Sequence, residues 1–117
     1  KEKLIQLRLG EKTIYVNGIA YQMDVAPYET SGRTMVPIRF ISEYLGADVI
    51  WNAAERMVTI IDGQTTLILT IGERMEGMDV APLLQNDRTF VPLRFVSEKL
   101  GAVVDWYAAT KDIVITR

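Results

Sequence analysis

The chain of 117 residues contains no cysteine and no histidine. Their absence removes disulfides, thiolate nucleophiles, imidazole acid–base chemistry and zinc sites of the usual Cys/His kind. It does not identify a compartment, because reducing and oxidising environments both accept cysteine-free chains. An excess of one charge is missing too: 13 Lys and Arg stand against 15 Asp and Glu. No basic surface therefore awaits nucleic acid or anionic lipid. No apolar run is long enough for a membrane span, so no membrane insertion is expected. No secretory leader is recognisable, and the start at Lys1-Glu2-Lys3 is abrupt, as in a piece cut from a longer protein.

What the chain does have is repetition. Met23-Asp24-Val25-Ala26-Pro27 returns as Met78-Asp79-Val80-Ala81-Pro82. Arg33-Thr34-Met35-Val36-Pro37-Ile38-Arg39-Phe40 returns as Arg88-Thr89-Phe90-Val91-Pro92-Leu93-Arg94-Phe95. Ser42-Glu43, Leu45-Gly46-Ala47 and Trp51 return as Ser97-Glu98, Leu100-Gly101-Ala102 and Trp106 at the same separation. A repeat of this length sets the architecture. One unit alone would bury too little surface to be secure, whereas two packed together reach ordinary domain size. The expectation is a single duplicated domain over 1–117, with repeat 1 at about 13–62, repeat 2 at about 68–117 and an N-terminal strand within 1–12.

Local patterns supply the elements. Residues 4–9 alternate apolar and polar, as a half-buried strand does. Residues 13–16 and 19–25 form two more strands around Asn17-Gly18, a strong type I′ hairpin signal. Residues 27–33, with Pro27, Thr30, Ser31 and Gly32, read as a loop. Val36-Pro37 and Val91-Pro92 are strand-to-helix junctions, each proline suiting the first helical position. The first helix is expected over 37–45, with Gly46 as a left-handed stop, and Gly101 plays that part in the second half. Lys99 replaces Tyr44 within an apolar arc, so its stem should cover apolar surface while its amine reaches water. A two-strand unit follows each helix. Val49, Trp51, Val104 and Trp106 share its apolar face, which places both tryptophans in the core in preference to a sugar-stacking role. Residues 65–71 are matched to the strand before Asn17-Gly18, and Asp62-Gly63 is a turn with no linker. The fold class is α+β: two tandem β-β-β-α-β-β-type repeats, with antiparallel sheets and one short helix each, packed as one pseudo-twofold body.

The polar residues repeat without forming a reactive set. Arg39/Glu43 and Arg94/Glu98 have helix pairing distance, where an exposed pair contributes about 0.3–0.5 kcal/mol. Asp24 and Asp79 lack the alternating oxygen donors of a calcium loop and suit a turn or cap. Glu43, Asp48, Glu55 and Asp62 could serve glycoside hydrolysis only if two converged, and no spacing brings them together. No nucleophile–base set exists, so no enzyme, no catalytic residue, no metal and no cofactor is assigned. Arg33 and Arg88 are candidate ligand contacts, with loop pinning or pairing to Asp24 and Asp79 as the favoured role. Tyr28 and Tyr107, with Tyr15, are the exposed aromatics to test for glycan contact. Pro37, Gly46, Trp51, Pro92, Gly101 and Trp106 are assigned to core and caps.

The strings from Gly32 to Phe40 and from Asp87 to Phe95, each followed by Leu-Gly-Ala, a tryptophan and a β-rich strand, resemble the copper amine oxidase N-terminal-domain-like modules, or stalk domains. The resemblance covers the chain from about Ile14 onward. It implies a small α+β module, found in secreted or surface-attached bacterial proteins beside enzyme or wall-binding domains. Amine oxidase chemistry needs three histidine copper ligands and does not carry over. Two departures are the turns: Asp87 replaces Gly32, and Gly72-Glu73 replaces Asn17-Gly18. The reading is a non-catalytic extracellular or cell-surface module that spaces, orients or attaches a neighbouring domain of a longer chain. The alternative is a module binding cell-wall polysaccharide, peptidoglycan included, and a carboxylate-based glycan hydrolase is third. A domain-swapped dimer is open to a duplicated strand-rich fold.

Overall fold

The computed structural model describes residues 2–117. Lys1, at the head of the expected N-terminal segment, lies outside the described residues. The element order is β1 (Leu4–Arg8), β2 (Thr13–Val16), β3 (Ile19–Gln22), β4 (Tyr28–Thr30), β5 (Arg33–Pro37), α1 (Ile38–Glu43), β6 (Asp48–Asn52), β7 (Met57–Asp62), β8 (Thr65–Thr70), β9 (Leu83–Gln85), β10 (Arg88–Pro92), α2 (Leu93–Lys99), β11 (Val103–Tyr107) and β12 (Asp112–Thr116). The fold is α+β, with antiparallel pairing throughout.

Three sheets form. Their orders are β11-β12-β1-β2-β3, β4-β5-β10-β9 and β6-β7-β8. The four-stranded sheet joins the halves, because β5 and β10 pair with Val36 opposite Val91 and Met35 opposite Pro92. Val36 and Val91 match one another in the sequence repeat, and Met35 opposite Pro92 is answered by Phe90 opposite Pro37, so the pairing is reciprocal about its centre. Each helix also crosses over: α1 packs on β6, β5 and β10, and α2 on β11, β10 and β5. One contiguous apolar cluster results, with Ile5, Phe40, Ile41, Val58, Ile60 and Leu69 meeting Val91, Leu93, Val96, Ile113 and Ile115.

The first strand of the chain completes the far half. β1 pairs with β12 along its whole length, Leu4 opposite Thr116 through Arg8 opposite Asp112. β8 occupies the same place beside β7. Their exits match as well. Leu9 N–H donates to the Lys111 carbonyl at 3.1 Å, and Ile71 N–H to Arg56 at 2.9 Å. Gly10 N–H donates to Pro27 at 2.9 Å, and Gly72 N–H to Pro82 at 2.8 Å. So β8 answers to β1, whereas the sequence paired residues 65–71 with the strand before Asn17-Gly18. The β2–β3 hairpin is an extra element of the first half. It is the hairpin expected around Asn17-Gly18.

Local geometry follows the sequence at most turns. Asn17 and Gly18 have φ of 51° and 85°, which a type I′ turn requires. Residues 27–33 are not a loop. Tyr28–Thr30 pairs with β5, and the turn between them is Ser31-Gly32, with φ of 51° and 75°. Two residues at positive φ close a hairpin here too, although serine is a weaker signal than asparagine. β3 ends at Gln22, short of the expected residue 25. The helices begin one position later than expected: Pro37 and Pro92 are N-cap residues with extended ψ of 147° and 119°. Gly46 and Gly101 have φ of 82° and 85° behind the helices, conformations that a Cβ would strain.

The tryptophans depart from expectation. Trp51 and Trp106 are 44% and 38% exposed, not core. The face was read correctly, since Trp51 lies opposite Val58 and Trp106 opposite Ile113, both buried. However, β6 and β11 are outermost strands of their sheets. An inward-facing side chain there has a neighbouring strand on one flank only, and an indole outreaches that cover.

Candidate functional site: a groove beside Trp106

A concavity of 690 Å³ lies mainly against the second half. Its floor is the inward face of the β11–β12 hairpin, where Val104, Trp106 and Ile113 line up, together with Leu93 and Phe95 of α2. The β4–β5 turn with Glu29 and Arg33 and the loop carrying Glu76, Gly77 and Asp79 also line it, and Arg33 and Asp79 join the two segments. Gly77 has φ of 86° and lies against Phe95, where a Cβ would sit 3.8 Å from the ring. α2 contributes Arg94, Glu98 and Lys99 to the rim.

Matching positions of the first half enclose only 110 Å³. There the end of β3 supplies Gln22, beside Met23, Phe40 and Tyr44. Tyr21 of the hairpin meets Tyr44 with ring centroids 5.9 Å apart, and Tyr44 meets Phe40 at 5.6 Å. Phe40 is consequently 1% exposed. Its counterpart Phe95 is only partly buried, and Lys99 Nζ hangs 5.3 Å over its ring. The lysine stem thus lies on apolar surface, as a long cationic side chain in an apolar arc does.

Charges on the rim are largely paired. Arg33 donates to Asp79 across the two halves, and Arg88 reaches Asp24 at 2.8 Å in the reciprocal contact. Asp24 also approaches Arg39 at 3.6 Å. The helix pairs Arg39–Glu43 and Arg94–Glu98 close at 2.6 and 3.2 Å. Glu29 and Glu76 form no ion pair among the described residues. The groove therefore offers an indole and a phenyl surface below, with hydrogen-bonding groups of both signs above.

Of the four sequence-chosen contacts, the groove takes only Arg33. Arg88 serves the other inter-half ion pair. Tyr28 is half-buried, edge-on to Phe90 at 5.0 Å, with its hydroxyl shut off from solvent and without a hydrogen-bond partner. Burial pushes its phenol pKa up. Tyr107 is exposed but points away from the Trp106 face, by strand alternation. Trp106, Phe95 and Glu76 were missed as a constellation. Two signals could have found it: the Tyr44-to-Lys99 exchange, and the shorter run from Gly72 to Met78 than from Gly10 to Met23.

Small antiparallel sheets joined through a central strand pair, with one short helix in each half, define a small α+β module. The sequence profile of the family "Copper amine oxidase N-terminal domain" matches residues 1–60 and 15–115, and the chain belongs to that family. A protein named "Protease inhibitor" from Brevibacillus choshinensis is 28% identical over 102 residues, covering 81% of this chain and 31% of that protein. The chain thus spans under a third of that relative's length. No solved structure matches. The family name mentions copper, but the imidazole and thiolate ligands that copper favours are absent from the sequence. Among the described residues no group of three or more Asp or Glu is placed to hold a metal ion. The residues do not fit that ion. No helix among them is long and apolar enough to cross a membrane.

Proposed function

We propose that this chain is a non-catalytic module of the cell envelope that orients or attaches a neighbouring domain. One observation carries the reading: the two ends are hydrogen-bonded to each other. Lys3 N–H donates to the Arg117 carbonyl, and Arg117 N–H returns to Lys3 at 3.0 Å. Any segment before Lys3 and any segment after Arg117 leave from one point. A body of 38 × 31 × 26 Å held that way projects sideways and presents its far surface, so orientation and attachment suit it better than linear spacing. The exchanged strands β1 and β8 and the reciprocal Arg33–Asp79 and Arg88–Asp24 pairs support a rigid, pseudo-twofold unit whose repeats begin at β1 and β8. Location outside the cell rests on the family. The inhibitory activity in the relative's name is not carried over, since the match covers 31% of it.

A folded reporter fused to each end tests this. Small-angle scattering should show the reporters side by side. Reporters at opposite ends of the long axis would sink the reading.

The exposed Trp106 favours a second reading, in which the groove contacts wall saccharide. Pyranose rings stack on indole through their C–H faces, and a rim of mixed sign suits neutral hydroxyls. Retention on purified cell wall that Trp106→Ala abolishes and Tyr107→Ala leaves intact is the expected result. Equal retention of the Trp106→Ala protein would remove the groove from consideration.

A further inference from the structure

We propose that the free edge of β8 pairs, antiparallel and about a twofold axis, with β8 of a second copy of this chain. Among the described residues β8 is bonded to β7 alone, so its outer edge is open. The counterpart edge shows what such a strand takes. β1, which sits beside β12 as β8 sits beside β7, is covered on that side by β2 of the extra hairpin. The second half has no hairpin to offer.

β8 also lacks the features that keep edges solitary. It runs six residues, Thr65-Thr66-Leu67-Ile68-Leu69-Thr70, without a charge or a proline. The other outermost strands are blunted: β4 and β9 have three residues each, β3 has four, and β6 and β11 carry Asp48 and Asp105. Its outward face continues an uncharged row, with Ile50 opposite Thr59 and Thr59 opposite Ile68. Ile50 and Ile68 are 55% and 47% exposed.

The sequence of β8 fits a copy of itself. A twofold centred on Ile68 sets Ile68 against Ile68, Leu67 against Leu69 and Thr66 against Thr70. Inward faces then meet inward faces, which a shift of one residue would reverse. Apolar and threonine cross-strand pairs are favourable, and no like charges oppose each other. A six-stranded sheet would run through both protomers, as edge addition produces.

The test is sedimentation of the whole chain from low micromolar to near-millimolar concentration, with amide hydrogen exchange at both limits. A reversible dimer is expected, with β8 amides protected only at the high limit. Ile68→Lys, whose charge the twofold sets against its own copy, should raise the dissociation constant at least about tenfold, and Thr66→Lys, which places a charge opposite Thr70 on the pairing edge, should raise it as well. Both side chains are exposed, and two variants guard against a folding defect in one. Ile19→Lys on the β3 edge should leave the dimer intact. A wild-type chain that stays monomeric throughout overturns the proposal. So does a dimer that survives both lysine variants, or one lost in Ile19→Lys. A heterologous strand as the true occupant would appear as a monomeric chain, and would count against it.

Discussion

The two halves share sequence at their cores and differ in what is laid over them. The first half carries the β2–β3 hairpin, which covers the edge of β1 and closes the recess beside Phe40. The second half has only a short run there, and both features open: β8 is an outermost strand, and Phe95 and Trp106 border a groove of 690 Å³. A single local difference thus leaves one recess covered and the other open.

The hardest way to break the comparison is to separate the halves. Each depends on a strand from the other, β1 on β12 and β8 on β7. Residues 1–63 and 64–117 expressed apart should both lack cooperative unfolding by circular dichroism. A folded half would mean that β1 can close on β7 of its own half, and the exchange would then be optional.

Much of this was legible in the sequence. The Asn17-Gly18 turn, the faces of the β6–β7 and β11–β12 hairpins and the Gly46 and Gly101 stops are local, set by two-residue turn chemistry or strict alternation. The exposure of Trp51 and Trp106 was not, because alternation tells which face a residue takes but not whether its strand is the outermost one. The equivalence of β8 with β1 was hidden for a related reason: strand partners are non-local, and an inserted hairpin shifted the register of the comparison. The groove was the least legible, since it is defined by a segment that the second half lacks.

The next largest effect compares Phe40 with Phe95. Phe40 is 1% exposed, and Phe40→Ala should cost roughly 3–5 kcal/mol in denaturant unfolding. Phe95 is only partly buried, so Phe95→Ala should cost about half as much or less. Equal costs would mean that the hairpin adds no cover. Gly46→Val and Gly101→Val should fall below these and match each other, at about 1–2 kcal/mol, the cost of forcing an L residue into left-handed backbone. Neither glycine meets a clash: nothing lies near Gly101, and a Cβ at Gly46 would sit 3.6 Å from Lys3 Nζ, an ordinary contact with an ammonium that donates to the Tyr44 carbonyl. A harmless Gly46→Val would show that the backbone relaxes at that stop.

The smallest expected effect lies at Tyr28, whose counterpart is Leu83. Leu83 has no polar atom on its side chain, whereas the Tyr28 hydroxyl is enclosed and unpartnered. A hydroxyl in that state forfeits its bonds to water, so Tyr28→Phe should raise stability by about 1 kcal/mol near neutral pH while keeping the edge-on contact with Phe90. The pH dependence sharpens the test. Burial raises the folded-state pKa of Tyr28 above its ordinary value near 10. The neutral phenol is therefore favoured in the fold, and its contribution is fully present below that value and lost as pH rises through the folded pKa. Tyr44 shares the direction, pushed up first by burial and then by Glu43. Stability of the wild-type chain should therefore fall more steeply on the alkaline side than that of Tyr28→Phe, which keeps only the Tyr44 share. Parallel alkaline curves for the two proteins would place the Tyr28 hydroxyl in contact with water, and the difference from Leu83 at that position would then carry no energetic consequence.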